Sequence, residues 1–393
     1  MFIAFGPYLL YLFLQCPTFA AKTSLECTRG HYPGAFCHGR NVYLNHTSKT
    51  FVVDAENDDE ELPREGDTTF RVFPVETRRL DAIPSCDRVV EEAYFYTFYY
   101  YYGHSNYYHL HYDTLLPVYF ALKHGTPEER SDSGQHRITL MPSVETSRLN
   151  VMDWNTDAFS EKHQNKYFVL IHQSLAGNEF DLVPADSRFI EINPSGFTCF
   201  RKIHFGAPRI RYPDEDTVPN FVEFIRNRVG LTRPYVSPTS PKVGIIKRSN
   251  RRRILNEEEL IATIQPFVEA ELVNFDGRTF AEQVSMMLEY TVLVGVNGAG
   301  LMNGIYLGEG AVTIQLVPFN ATQLNVREFG NILKSRGPYL EWWNKHEELN
   351  RGNLERDPYN SQADTEVHVD EFTQLIRDAL KIGINRKLRK EEL

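Results

Sequence analysis

Thr291-Val292-Leu293-Val294-Gly295-Val296-Asn297-Gly298-Ala299-Gly300-Leu301-Met302-Asn303 is the stretch that decides the fold of this 393-residue chain. Its first six residues are nearly all apolar, as in a strand buried on both faces of a parallel sheet. A glycine turn follows at once, and then a short apolar helix. The same alternation extends in both directions. Upstream, Val243-Gly244-Ile245-Ile246 reads as a strand, and Asn256 caps a helix whose Leu260, Ile261, Ile264 and Phe267 share one face. Glu271 to Phe275 reads as a second strand and Thr279 caps a helix through Met287. Downstream, Ala311 to Val317 is a fourth strand. This pattern predicts a doubly wound α/β domain with the glycine turn at the carboxyl end of a central strand, where such sheets bind ligands.

The first half is less regular. Strand-like runs at Arg137 to Met141, Tyr167 to Ile171 and Arg188 to Ile192, with helices at Asp113 to Lys123 and Asn220 to Val229, suggest a second α/β layer. The aromatic run from Tyr94 to Tyr102 reads as a buried strand, or as stacking faces for sugars. Arg233 to Lys242 carries three prolines and has the composition of a linker. Beyond Pro338 the charged stretch to Asp364 reads as a loop, followed by a helix around Val369 to Leu380 expected to pack back on the first domain. The length favours two domains. The expected divisions are a signal peptide at 1–20, an N-terminal α/β domain at 21–235, a more regular Rossmann-like domain at 242–335 and an extension with a final helix at 336–393.

The first twenty residues carry no charge and include Tyr8 to Leu14, an apolar block ahead of Pro17 and Ala20, which reads as a signal peptide; an uncleaved anchor is the alternative. The ending Lys390-Glu391-Glu392-Leu393 is close to a retrieval signal, so the endoplasmic reticulum lumen is expected, with the Golgi or secretion as alternatives. Outside the signal, Cys27, Cys37, Cys86 and Cys199 suggest two disulfides with three possible pairings. Asn45-His46-Thr47 and Asn320-Ala321-Thr322 are glycosylation sequons. A net charge of −10 argues against nucleic acid as a partner, and no stable membrane span is expected.

Gly298 and Gly300 let a phosphate approach the backbone, and the following helix offers free amides. A tight structural turn is the competing reading. Six cations lie within Lys242 to Arg253, and Arg248 and Arg252 among them are suited to a diphosphate at the same sheet edge; a solvated loop is the alternative. Before the first helix, Asn106-Tyr107-Tyr108-His109-Leu110-His111-Tyr112-Asp113 gathers two imidazoles, an amide and a carboxylate. His or Asp can deprotonate an attacking hydroxyl, although a purely structural role fits these residues as well. A metal site from His109, His111 and Asp113 is incomplete, so no bound metal is assigned and a divalent-ion requirement is left open.

Phe280-Ala281-Glu282-Gln283, the run Leu293 to Asn303, Gly310 to Pro318, Arg248 with Arg252-Arg253-Ile254 and Asn256-Glu257, and Asn106, His109 and Asp113 with Leu115-Leu116-Pro117 together resemble glycosyltransferase family 61. The resemblance implies a GT-B type α/β fold, two Rossmann-like domains facing a cleft, and an inverting transfer from a UDP-sugar that is co-substrate rather than permanent cofactor. It implies donor contacts from Arg248, Arg252, Asn256, Glu282, Gln283, Asn297, Gly298, Ala299, Gly300 and Leu301. It also implies catalytic roles for His109 and Asp113, with Asn106 and His111 on the acceptor side. The family usually has histidine where this chain has Asn297, and asparagine can carry neither charge nor proton. The expected reaction places N-acetylglucosamine on Ser, Thr or a protein-linked glycan. Xylose transfer, or a catalytically silent glycan- or glycoprotein-binding role, is the alternative.

Overall fold

The computed structural model describes residues 23–29, 35–48, 50–54, 75–78, 83–98, 107–117, 119, 138–144, 195–205, 216–231, 240–321, 323–360 and 362–391. The expected strands Tyr167 to Ile171 and Arg188 to Ile192, the signal, the linker core and Asn106 lie outside these residues.

Five strands, β8 (Lys242–Ile246), β9 (Glu269–Val273), β10 (Val292–Val296), β11 (Val312–Val317) and β12 (Tyr339–Trp343), form an all-parallel sheet in the order β12-β11-β10-β8-β9. β10 and β11 are buried along their whole length, which explains their continuous apolar sequence. One face of the sheet, with Val243, Ile245, Val294 and Ile314, packs on helices α3 (Glu257–Ile264) and α6 (Val369–Glu391). The other packs on α4 (Phe280–Met286), α5 (Gln323–Arg336) and the 3-10 helix Ala299–Tyr306.

Seven strands form a second, mixed sheet. They are β1 (Ser24–Arg29), β2 (Ala35–Asn45), β3 (Thr50–Asp54), β4 (Val75–Arg78), β5 (Arg88–Phe98), β6 (Ile138–Val144) and β7 (Phe197–Phe205). Their order is β4-β3-β2-β7-β5-β6, with β1 paired to β2. β2 runs antiparallel to β7, whereas β5 is parallel to both β6 and β7. Tyr94 and Phe95, in the expected aromatic strand, are buried on opposite faces, in separate clusters.

α1 (Tyr107–His109) packs on the 3-10 helix and continues as the π-helical stretch Leu110–Leu115, which reaches β5, while α2 (Thr217–Arg228) packs on α5 and the 3-10 helix. Their Leu110, Leu115, Phe221 and Ile225 share one apolar cluster with Phe280, Leu301, Ile305 and Ile332 from the parallel-sheet layer. The apolar core therefore runs across the chain segment read as a linker, and α2 packs with the C-terminal half rather than apart from it.

Three expectations are corrected. The stretch after Pro338 opens with β12, a short edge strand of mostly half-buried residues that precedes the charged run. The last helix packs on α3 and the parallel sheet through Phe372, Ile376 and Ala379, not on the first domain. The second strand begins and ends two residues earlier than expected, because Phe275 leaves the ladder to line a pocket.

The disulfides are Cys27–Cys37, a rung across β1 and β2, and Cys86–Cys199, which ties the approach to β5 onto β7 across 113 residues. Closing a loop of that length removes much conformational freedom from the unfolded chain. A Cys86→Ser/Cys199→Ser variant should lose about 2–5 kcal/mol by chemical denaturation under non-reducing conditions.

Candidate functional site

The strand order of the parallel sheet, with β9 and β8 on one side and β10, β11 and β12 on the other, reverses direction between β8 and β10. At such a switch point the loops after adjacent strands diverge and leave a crevice at their carboxyl ends. The loop after β8 carries Arg248 and Arg252, and the turn after β10 carries Asn297 to Gly300, so two widely separated segments meet there.

Arg252 donates from Nη1 to the carbonyl of Asn297 at 3.0 Å, and Arg248 donates from Nε to the carbonyl of Arg251 at 2.9 Å. Gly298 provides the room. A Cβ at this position would lie 2.2 Å from Arg248 Nη1 and 3.5 Å from Arg252 Nη1. Both guanidinium groups are partly buried, and neither has an acidic partner among the described residues. The neighbouring cations do pair, Lys247 with Glu257 and Arg253 with Asp364. Arg252 Nε is fully buried with no hydrogen-bond partner among the described residues. Burial first, and then the charges of Arg248 and Arg251, push Arg252 down to about 10. Burial and Arg251 also lower Arg248. Like charges gathered without a counter-ion favour an anion, and planar guanidinium groups suit phosphate oxygens. The amides opening the 3-10 helix add donors that no earlier helical carbonyl can satisfy.

A pocket of about 240 Å³ opens beside this cluster. Arg248, Ser249 and Asn250 line it from the loop after β8, Phe275 and Asp276 from beyond β9, and Ala299 and Gly300 from the turn. Its remaining wall joins the two halves of the chain. Tyr107 donates its hydroxyl to Asn303 Oδ1 at 2.8 Å, and Asn303 Nδ2 donates to the carbonyl of Gly300 at 3.2 Å and to Gln283 Oε1 at 3.4 Å. Tyr107, Asn303, Phe275 and Asp276 were not singled out from sequence. The rule that ligands sit past the carboxyl ends of strands pointed to Phe275 and Asp276, whereas Tyr107 and Asn303 meet only through tertiary structure.

Several expected contacts have other occupations. Glu282 forms a capping box with Thr279, accepting from its amide at 2.7 Å and its hydroxyl at 2.8 Å. Asn256 makes no side-chain cap; its amide accepts from Val367 N and donates to Val367 O, fastening the approach to α6. Leu301 is buried, so only its backbone faces the turn. His111 is fully buried and does not face an acceptor. Its Nδ1 contacts the Tyr107 carbonyl at 2.7 Å and its Nε2 the Tyr306 hydroxyl at 2.8 Å, and burial pushes it down to about 4. His109 is half-buried at the end of α1, and Asp113 falls within the π-helical stretch. Among the described residues no cluster of His, Cys, Asp or Glu could hold a metal ion.

The model of the glycosyltransferase 61 family matches residues 107–314, more than half of the chain. The chain belongs to glycosyltransferase family 61. It is similar to protein O-linked-mannose beta-1,4-N-acetylglucosaminyltransferase 2 of Xenopus tropicalis, 26% identical over 136 residues that cover 33% of this chain and 23% of the relative. It is also similar to two proteins of Oryza sativa subsp. japonica. The alpha-1,3-arabinosyltransferase XAT2 is 30% identical over 34% of this chain and 25% of the relative. The beta-1,2-xylosyltransferase XYXT1 is 28% identical over 34% and 32%. The matched part of the chain thus spans a third or less of each relative.

Two outcomes are expected. Gly298→Ala should abolish thermal stabilisation by pyrophosphate with little change in the unliganded melting temperature, because the added methyl group displaces a flexible guanidinium rather than backbone. His111 contributes stability that is complete above its unfolded value of 6.5 and is lost as pH falls through about 4. That difference corresponds to about 3 kcal/mol. Denaturation at pH 7 and pH 4 should therefore show a smaller acid loss in His111→Gln than in the unsubstituted protein.

Proposed function

We propose that this chain is an inverting glycosyltransferase that moves a sugar, N-acetylglucosamine first among the candidates, from a UDP-sugar to a Ser or Thr hydroxyl or a protein-linked glycan. The observation that carries the reading is the pair of guanidinium groups, without acidic partners among the described residues, held against Gly298 at the switch between β8 and β10. In this reading Arg248, Arg252 and the amides of Ala299 and Gly300 hold the diphosphate. The two sheets act as the facing halves of a GT-B arrangement, with α1 from the acceptor side closing on the donor pocket through Tyr107.

The acceptor oxygen attacks the anomeric carbon while the bond to the β-phosphate oxygen breaks, and the electron pair leaves with UDP. The acceptor proton passes to His109 or Asp113, on the helix that enters the cleft from the N-terminal half. The arginines stabilise the charge that develops on the leaving diphosphate. No bound metal is required in this scheme. A lumenal address is supported by the two disulfides, and no helix among the described residues is long and apolar enough to cross a membrane.

The names of the rice relatives make a pentose donor the second reading. A screen of UDP-GlcNAc, UDP-xylose, UDP-arabinose and GDP-mannose by thermal stabilisation and donor hydrolysis separates the possibilities. One UDP-sugar should stabilise the protein and turn over. Arg248→Ala and Arg252→Ala should each weaken its binding roughly ten- to a hundredfold, the size of a lost charge-assisted hydrogen bond. Indifference to every nucleotide would leave a silent glycan-binding protein as the better reading.

A further inference from the structure

The two glycosylation sequons are built differently. Asn45 ends β2 at the hairpin leading to β3, and its Oδ1 accepts from the amides of Thr47 at 2.9 Å and Ser48 at 3.2 Å. The carboxamide oxygen is thus turned into the hairpin, and in a planar amide the nitrogen then faces the other way. Thr47 and Ser48 are exposed, while His46 anchors the tip, with Nε2 2.9 Å from Thr198 Oγ1 and its amide donating to the carbonyl of Gly196. The acceptor sequence is therefore presented on a fixed, outward hairpin.

Asn320 lies in a clasp instead. Its backbone is left-handed, with φ 58°, and its Nδ2 donates to the carbonyl of Pro358 at 3.0 Å. From the facing loop, Asn360 Nδ2 donates back to the carbonyl of Phe319 at 2.7 Å and to Asn350 Oδ1 at 2.7 Å. The nitrogen that would carry a glycan is the one that closes this loop. Asn320 also stands three residues past β11, on the carboxyl edge where the Asn297 amide pairs with the carbonyl of Leu316.

We propose that Asn45 carries an N-linked glycan and that Asn320 remains unmodified as a structural clasp, an inference that rests on the lumenal address proposed above. The full chain is expressed in a secretory cell line, and its mass is measured before and after peptide-N-glycosidase treatment, with protease protection of intact microsomes as a parallel readout. The expected result is one glycan, absent from Asn45→Gln and from Thr47→Ala and retained in Thr322→Ala. Thr47→Ala removes the acceptor sequence but keeps the Asn45 turn, so the test survives if Asn45→Gln fails to fold. A glycan that persists in Thr47→Ala, or disappears in Thr322→Ala, overturns the assignment. A protease-protected chain without any glycan overturns this inference alone; a chain digested in intact microsomes overturns the lumenal address with it.

Discussion

The hydrogen bond from Arg252 to the Asn297 carbonyl is the constraint on which the arginine site depends. It spans 45 residues of sequence and bridges the two loops that diverge at the switch point. Arg252 pays for the position with a left-handed backbone, φ 56°, uncommon for a residue with a long side chain, and with a buried Nε that has no hydrogen-bond partner among the described residues. Strain and desolvation of this kind persist where the surrounding structure over-determines them and tend to gather at functional sites. Here β8 and β10 fix both ends: they are adjacent, in register from Val243 with Val292 to Ile245 with Val294, and buried. An oxyanion bound beside the cluster would offset the repulsion between Arg248, Arg251 and Arg252.

The second constraint is the apolar layer between the sheets. Tyr107 and His111 come from α1 and the π-helical stretch after it, but their partners Asn303 and Tyr306 come from the 3-10 helix after the glycine turn. The same helix thus starts at the arginine site and ends in the inter-sheet core, so the position of the N-terminal half is coupled to the pocket wall through one rigid element. A neutral, buried His111 fits that role, since a charged imidazole among Phe221, Phe280 and Tyr306 would lack a counter-ion.

What was legible in sequence was local. The β8 and β10 strands are runs of Val, Ile and Leu that no amphipathic helix would tolerate, and Thr279 with Glu282 has the spacing of the capping box it forms. What was not legible depended on distant partners. Asn256 looked like a cap because its position is one, yet the competing bonds to Val367 lie 111 residues away. The disulfide pairing, the destination of α6 and the burial of His111 were hidden for the same reason. β12 escaped because its five residues, Tyr339 to Trp343, are short beside the long charged stretch that follows and dominated the reading. The basic cluster could be read as far as its composition, and the structure then separated Lys247 and Arg253, which pair with carboxylates, from Arg248 and Arg252, which have no acidic partner among the described residues.

The departure at Asn297 bears on how the site would work. Residue 297 contributes to the arginine cluster through its backbone: the carbonyl takes the Arg252 hydrogen bond and the amide pairs with Leu316 of β11. Both bonds are made by the backbone, so neither depends on whether residue 297 is histidine or asparagine. What an asparagine removes is a titratable group beside the turn. Under the proposed reading, stabilisation of the leaving diphosphate falls to the two guanidinium groups and the helix amides, none of which changes protonation near neutral pH. The proposed reading leaves the proton transfer to His109 or Asp113, in the helical segment that Tyr107 begins. That reading divides charge stabilisation and proton transfer between the two halves of the chain, which the apolar cluster and the contacts of Tyr107 with Asn303 and of His111 with Tyr306 bridge.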